Sequence, residues 1–222
     1  MNENPADIGS TCQTAEKIPS VRPDSGKWKR CRVTGARSDT KVYDRLMAAT
    51  SGVDPADRHV LASVVAVARA EAGRPLTEAV GLDRTALSHL LDAAFPNAFA
   101  VDELAAPDAD AGPDAIEEPD YRALLLEGRA KGDEMEDWLA HMVARRSLLP
   151  EHLWISLGLR NRKELSDMLH RHFPAVAARN VQGMRWKKFF YREMCQAEGV
   201  HICKSPVCDI CPDFNECYGT EE

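Results

Sequence analysis

Two stretches of the sequence decide the fold: LSHLLDAAFP at residues 87–96 and LSDMLHRHFP at residues 165–174. In each stretch apolar residues recur three and four positions apart, which is the spacing of one apolar face of an α-helix. The Phe-Pro pair at the end of each stretch disfavours further helix, because proline restricts the residue before it. The identical positions are Leu87/Leu165, Ser88/Ser166, Leu91/Leu169, Phe95/Phe173 and Pro96/Pro174.

The similarity continues upstream and predicts an internal duplication. Leu61-Ala62 matches Leu139-Ala140, and Gly81-Leu82 matches Gly158-Leu159. Asp83 and Asn161 occupy N-cap positions, and Glu164 would complete a capping box with Asn161. Each copy is predicted to contain a long helix, a short helix, a glycine turn and a further helix. The alternative is that unrelated amphipathic helices share a leucine pattern by chance.

Outside these stretches, composition sets the predicted boundaries. Helical spacing of apolar residues covers Lys41–Ala100 and Tyr121–Gly199, without alternating β-branched runs, so the fold class is predicted to be all-α. The predicted organisation is a mobile N-terminal arm at 1–40, helical repeat 1 at 41–104, an acidic Pro/Ala-rich linker or loop at 105–120, helical repeat 2 at 121–182, and a basic helix with an irregular cysteine-rich segment at 183–222.

The net charge and the lengths of the apolar stretches argue against several classes of protein. The net charge of -7 argues against general nucleic-acid binding, which requires Lys and Arg to neutralise phosphates. The first residues lack the basic and apolar regions of a signal peptide, and no apolar stretch is long enough to cross a bilayer. We therefore expect a cytoplasmic protein, whose thiols stay reduced and whose clustered cysteines bind metal. No set of catalytic residues stands out, so a non-enzymatic role is expected.

The last four cysteines form a box with the spacing C-x4-C-x2-C-x5-C. Pro206 and Pro212 keep this segment out of a helix, so its thiolates can converge on a compact inorganic core. An iron–sulfur cluster is the favoured occupant. Structural zinc is the alternative, although zinc usually receives its thiolates from two separated knuckles. The predicted ligands are Cys203, Cys208, Cys211 and Cys217.

The helix predicted to start near Met184 carries an aromatic stripe for the core and, on another face, the basic residues Arg185, Lys188 and Arg192. Beside a thiolate-ligated cluster these cations would attract a tetrahedral oxyanion, and Arg179 and the run His170-Arg171-His172 could add to the field. The alternative is an ordinary solvated face.

Cys195 lies on the same helix, eight residues before the box. It is a possible extra ligand to an open position of the cluster. The alternative is a buried, inert cysteine, which is the commoner state of a lone cysteine on an amphipathic helix.

The sequence also resembles the NifQ family over about its last 85 residues. The resemblance rests on HLWISLGLRNRKELSDMLHRHFP at 152–174, ARN at 178–180, MRWKKFFYREMC at 184–195 and the cysteine box. It implies an iron–sulfur cluster of the 4Fe-4S or 3Fe-4S type on the four box cysteines. It also implies acquisition of molybdenum as a molybdenum–iron–sulfur cluster, delivered for nitrogenase iron–molybdenum cofactor assembly to the scaffold NifEN together with NifH. The remaining alternative is a helical interaction or regulatory module with structural zinc.

Overall fold

The computed structural model describes residues 38–197, which form ten α-helices, one 3₁₀ turn at Val101–Glu103 and no strand. The all-α prediction is confirmed for this range. The cysteine box and most of the predicted N-terminal arm lie outside the described residues. None of the described helices is long and apolar enough to cross a membrane. The helices are α1 (Thr40–Ala48), α2 (Pro55–Arg69), α3 (Leu76–Val80), α4 (Arg84–Ala94), α5 (Glu118–Glu127), α6 (Glu134–Ser147), α7 (Leu153–Ser156), α8 (Arg162–His172), α9 (Pro174–Ala177) and α10 (Trp186–Ala197).

Two long helices, α2 and α6, supply the centre of the core. Every residue of α2 from Val60 to Ala68 is buried, and so is every residue of α6 from Met142 to Ser147. The buried run of α2 is almost entirely apolar and therefore requires other elements around it, whereas the buried run of α6 also includes Arg145 and Arg146. Helices α1 and α3 pack on α2, while α3, α4, α5 and α7 pack on α6.

The predicted N-caps are present on α4 and α8, the helices that contain most of the two matching stretches. Asp83 accepts the N–H of Ala86 at the start of α4, and Asn161 accepts the N–H of Glu164 at the start of α8. The predicted capping box at Asn161 is only half formed, because the Glu164 carboxylate accepts the N–H of Arg160 instead. Phe95 and Phe173 end their helices with nearly the same backbone angles, and both are buried.

The segment 105–120 lies against the helices and contains the start of α5. Backbone carbonyls of Ala105 and Ala111 accept hydrogen bonds from Arg84 and Arg145. At the end of the segment, the buried Glu118 carboxylate accepts a hydrogen bond of 2.7 Å from Arg145. These contacts attach the segment to α4 and α6. The helices before the segment, the segment itself and the helices after it therefore share one core.

Candidate metal centre

Helix α10 is the described element that leads to the cysteine box. It begins at Trp186 rather than Met184, because the carbonyl of Arg185 accepts the first helical N–H, from Phe189. Its predicted aromatic face is confirmed: Trp186, Phe189 and Phe190 are buried, and Met194 packs against the core. The rings of Trp186 and Phe190 stack with centroids 5.8 Å apart. This face fixes α10 on the scaffold.

Polar contacts fix the start of α10 to α8. Arg162 donates hydrogen bonds of 2.7 Å to the carbonyl oxygens of Gly183 and Met184. Asn180 closes the turn through two hydrogen bonds with the backbone of Met184. The indole N–H of Trp186 donates to the Ser166 hydroxyl at 2.9 Å. Sequence analysis did not predict these contacts, because those of Arg162 and Trp186 join residues about twenty positions apart that no local motif relates.

The three predicted cations of α10 lie on its partly exposed side, and all are half-buried. Arg185 precedes the first helical residue, and its guanidinium lies 3.1 Å from Nε2 of His152. Arg192 lies 3.5 Å from the amide oxygen of Gln182 and 3.6 Å from the sulfur of Met184. Their role in attracting an anion stays a prediction.

The other basic residues considered for this field have acidic neighbours. Arg179 pairs with Glu193 at 3.0 Å, and Arg171 pairs with Asp57 at 2.7 Å. His172 is buried and lies 2.9 Å from the same Asp57 carboxylate. Of the predicted run, only His170 adjoins α10, where its ring meets Trp186 edge-on. A contribution of Arg171 and Arg179 to the field is therefore offset by their carboxylate partners.

Cys195 lies in the last turn of α10 and is partly exposed. Across residues 38–197, no three His, Cys, Asp or Glu side chains converge in a way that could hold a metal ion. The described scaffold therefore supplies no metal site of its own, and the metal-binding prediction rests on the cysteine box. The possible role of Cys195 as an extra ligand beside the four box cysteines stays a prediction.

A chain of hydrogen bonds that the sequence did not reveal supports the start of α8. The Tyr43 hydroxyl lies 2.8 Å from Nδ1 of His59, and Nε2 of His59 lies 3.2 Å from the Glu164 carboxylate. Because an ionised carboxylate can only accept, Nε2 of His59 is the donor to Glu164. Burial opposes ionisation of Glu164, but the Arg160 N–H and His59 outweigh it and lower the pKa of Glu164.

Comparison with known proteins identifies the family to which this scaffold belongs. The sequence profile of the NifQ family matches residues 60–219, a range that includes α10, Cys195 and all four cysteines of the box. The chain belongs to the NifQ family. No solved structure matches it.

Three relatives show how far the similarity extends. The Protein NifQ homolog of Sinorhizobium fredii is 41% identical over 173 residues, which cover 75% of this chain and 73% of the relative. Protein NifQ of Rhodobacter capsulatus is 39% identical over 66% of this chain and 79% of its own length. Protein NifQ of Azotobacter vinelandii is 46% identical over 46% of this chain and 52% of its own length. This membership supports a role in nitrogen fixation.

Proposed function

We propose that this protein carries an iron–sulfur cluster, acquires molybdenum on it, and donates the resulting molybdenum–iron–sulfur cluster for assembly of the nitrogenase iron–molybdenum cofactor. The observation that carries the proposal is the family match over residues 60–219, because it spans the cysteine box together with the helix that leads to it. The recipients proposed are the cofactor-assembly proteins NifEN and NifH. The chain acts as a carrier, and the molybdenum-containing cluster is its cargo.

The donor set suits an iron–sulfur cluster. Cys203, Cys208, Cys211 and Cys217 supply four thiolates within fifteen residues, and thiolates are the usual ligands of iron in such clusters. Bound there, the cluster supplies sulfide and iron sites on which molybdenum can be held. Cys195 would be a fifth thiol, available for an open position.

The helix that precedes this donor set in the sequence is firmly attached to the scaffold. Helix α10 is buried along its aromatic face and hydrogen-bonded to α8 at its start. On this helix and at the residue before it, Lys188, Arg192 and Arg185 place positive charge ahead of the box in the sequence. Positive charge offsets the repulsion between an incoming dianion such as molybdate and a cluster with anionic thiolate ligands.

The test is the metal content of anoxically purified full-length protein. We expect iron, acid-labile sulfide and a brown colour. We also expect substitution of any one of Cys203, Cys208, Cys211 or Cys217 by Ala to lower the cluster content and to speed its decay in air, because an unligated cluster corner is open to water and oxygen.

The matched controls are Cys12→Ala and Cys31→Ala, which remove cysteines from the opposite end of the sequence and should leave iron and sulfide unchanged. A colourless protein that holds one zinc and no sulfide under strict anoxia would falsify the proposal. That outcome would favour the helical module with a structural zinc site. If the protein contained iron and sulfide but took up no molybdenum, the donor role would be contradicted and the iron–sulfur cluster would stand.

A further inference from the structure

Charge is distributed unevenly along this acidic chain. Residues 160–193, which cover α8, α9 and most of α10, contain nine Lys and Arg against three Asp and Glu. The rest of the chain contains nineteen Lys and Arg against thirty-two Asp and Glu. A chain with a net charge of -7 thus concentrates positive charge in one part of its scaffold. Such an asymmetry steers association with a partner of complementary charge.

Part of this charge forms one exposed edge beside the start of α10. The hydrogen bonds from Arg162 to Gly183 and Met184 bring the first turn of α8 against the turn that precedes α10. Arg160 and Lys163 flank Arg162 in the sequence, and Val181 lies on the contacted turn. We call Arg160, Arg162, Lys163 and Val181 the α8 basic edge.

The cations of this edge are held only by backbone carbonyls and by ion pairs at exposed positions of the described residues. Arg162 donates its hydrogen bonds to neutral backbone carbonyls. Among the described residues, Arg160 and Lys163 form ion pairs with Glu164 and Asp167 of α8, at 3.8 Å and 2.7 Å, and the side chains of Arg160 and Lys163 are 70% and 81% exposed. Such exposed pairs within one helix contribute little energy and break readily in favour of another partner.

The edge also carries an apolar residue that favours a protein partner. Val181 is 86% exposed, and it is one of only two large hydrophobic side chains so exposed in the described residues. An apolar side chain among cations suits a protein interface, whose centre is dry and whose rim is polar. A nucleic acid would meet repulsion from the acidic remainder of the chain.

We propose that the α8 basic edge docks an acidic surface of a partner protein, with Val181 at the contact. Because Arg162 ties this edge to the start of α10, a partner bound there would lie beside the helix that leads to the cysteine box. Identification of the partner as the recipient of the cluster rests on the proposed function. The docking itself rests on the charge and exposure of the edge.

The experiment measures binding of the full-length protein to purified NifEN and, separately, to NifH. The docking variant is Arg160→Glu with Lys163→Glu, and a second variant is Val181→Asp. The control is Arg69→Glu with Arg74→Glu, which makes the same charge change at the last residue of α2 and in the segment between α2 and α3, where neither arginine has an ion-pair partner among the described residues. Metal content and thermal unfolding are measured on every variant.

We expect the parent to bind one of the two probes with a dissociation constant that rises with salt. The docking variant should raise this constant by about tenfold or more, while the control changes it by no more than about twofold. Val181→Asp should weaken binding even at high salt. All variants should keep the parental iron content, because none of these residues is placed at the metal centre.

Three outcomes would overturn the docking proposal. One is equal weakening by the docking variant and the control, which would show a net-charge effect. Another is absence of binding to both probes by a parent that holds its cluster, which would leave the carrier function intact. The third is binding to duplex DNA, or self-association, that the docking variant abolishes. A parent without a cluster that still binds through the edge would instead contradict the carrier function and support docking.

Discussion

At the scale of single residues, the described part of the chain contains buried charges that hydrogen bonds and ion pairs stabilise. Glu136 is fully buried, and its carboxylate accepts backbone N–H groups of Ala130, Lys131 and Gly132, the shortest at 2.6 Å. Burial opposes ionisation of Glu136, but these hydrogen bonds, with a further contribution from His172, outweigh it and lower the pKa of Glu136. Glu136 therefore stays ionised in the folded protein.

The residue-scale prediction is that Glu136→Gln destabilises the protein by about 1.5–3 kcal/mol at neutral pH, because the glutamine NH2 cannot accept the backbone N–H bonds that one carboxylate oxygen accepts, and the remaining oxygen is uncharged. Since folding lowers the pKa of Glu136, its contribution is complete above the unfolded value of 4.5 and is lost as pH falls through the lower folded pKa. The difference between the variant and the parent should therefore shrink below about pH 4. Urea unfolding followed by circular dichroism across this range measures it.

Glu134→Gln is the matched control, because Glu134 starts the same helix with a side chain that is 68% exposed. It should unfold at the parental urea concentration. A Glu136→Gln variant that is as stable as the parent at neutral pH, or that differs from it equally at every pH, would contradict the role given to the carboxylate.

These residues show why the sequence could predict helices but not their buried charges. The leucine spacing of α4 and α8 is a local signal, and so are the caps at Asp83 and Asn161. In contrast, Asp57 meets His172 across 115 positions, and Glu164 meets His59 across 105. No local pattern relates such pairs. The expected capping box is only half formed, because the Glu164 carboxylate is engaged by the nearby Arg160 N–H and by the distant His59.

At the scale of elements, the two glycine turns make reciprocal contacts. A Cβ at Gly81 would lie 3.3 Å from the carbonyl oxygen of His141 in α6, and a Cβ at Gly158 would lie 2.6 Å from that of Ser63 in α2. His141 and Ser63 occupy equivalent positions of the two proposed copies. Each turn thus packs on the long helix of the other copy. The duplication itself stays a prediction, but it explains why both turns have glycine with a φ of 70°.

The element-scale prediction is an order of destabilisation among three glycine-to-alanine variants. Gly158→Ala should cost most, because its Cβ would meet a backbone oxygen at 2.6 Å and the chain must shift. Gly81→Ala should cost less, since its nearest neighbours lie at 3.1 and 3.3 Å. Gly132→Ala is the control: its φ is +72° but its Cβ would meet nothing within 4 Å, so only the left-handed backbone cost of about 1–2 kcal/mol applies.

Thermal and urea unfolding of the three variants measure this order. If Gly158→Ala were no more costly than Gly132→Ala, the close approach of its turn to α2 would be wrong. Equal costs for Gly81→Ala and Gly158→Ala, both above Gly132→Ala, would instead indicate that the two turns approach the opposite helices equally closely.

At the scale of the whole molecule, the chain has two basic surfaces, and the proposals give them different roles. The α8 basic edge serves docking, whereas Arg185, Lys188 and Arg192 on α10 lie ahead of the cysteine box. The sequence predicted the second set from its position next to the box. It did not predict the first as one surface, because the contacts of Arg162 that join α8 to the start of α10 became apparent only in the fold.

The whole-molecule prediction is that the cations of α10 govern loading of molybdenum but not retention of iron. Molybdate is a dianion, and thiolates give the proposed cluster negative charge, so approach is favoured where local cations offset the repulsion. Lys188→Glu with Arg192→Glu should therefore lower molybdenum occupancy while iron and sulfide stay near the parental level. The defect should shrink in salt, because charges are screened over about 8 Å at physiological ionic strength.

Arg160→Glu with Lys163→Glu is the control of equal charge change, and it should load molybdenum normally. Iron and molybdenum measured together on each reconstituted sample decide the outcome. Equal molybdenum loading of both double variants at low salt, with iron intact, would show that the α10 cations form an ordinary solvated face.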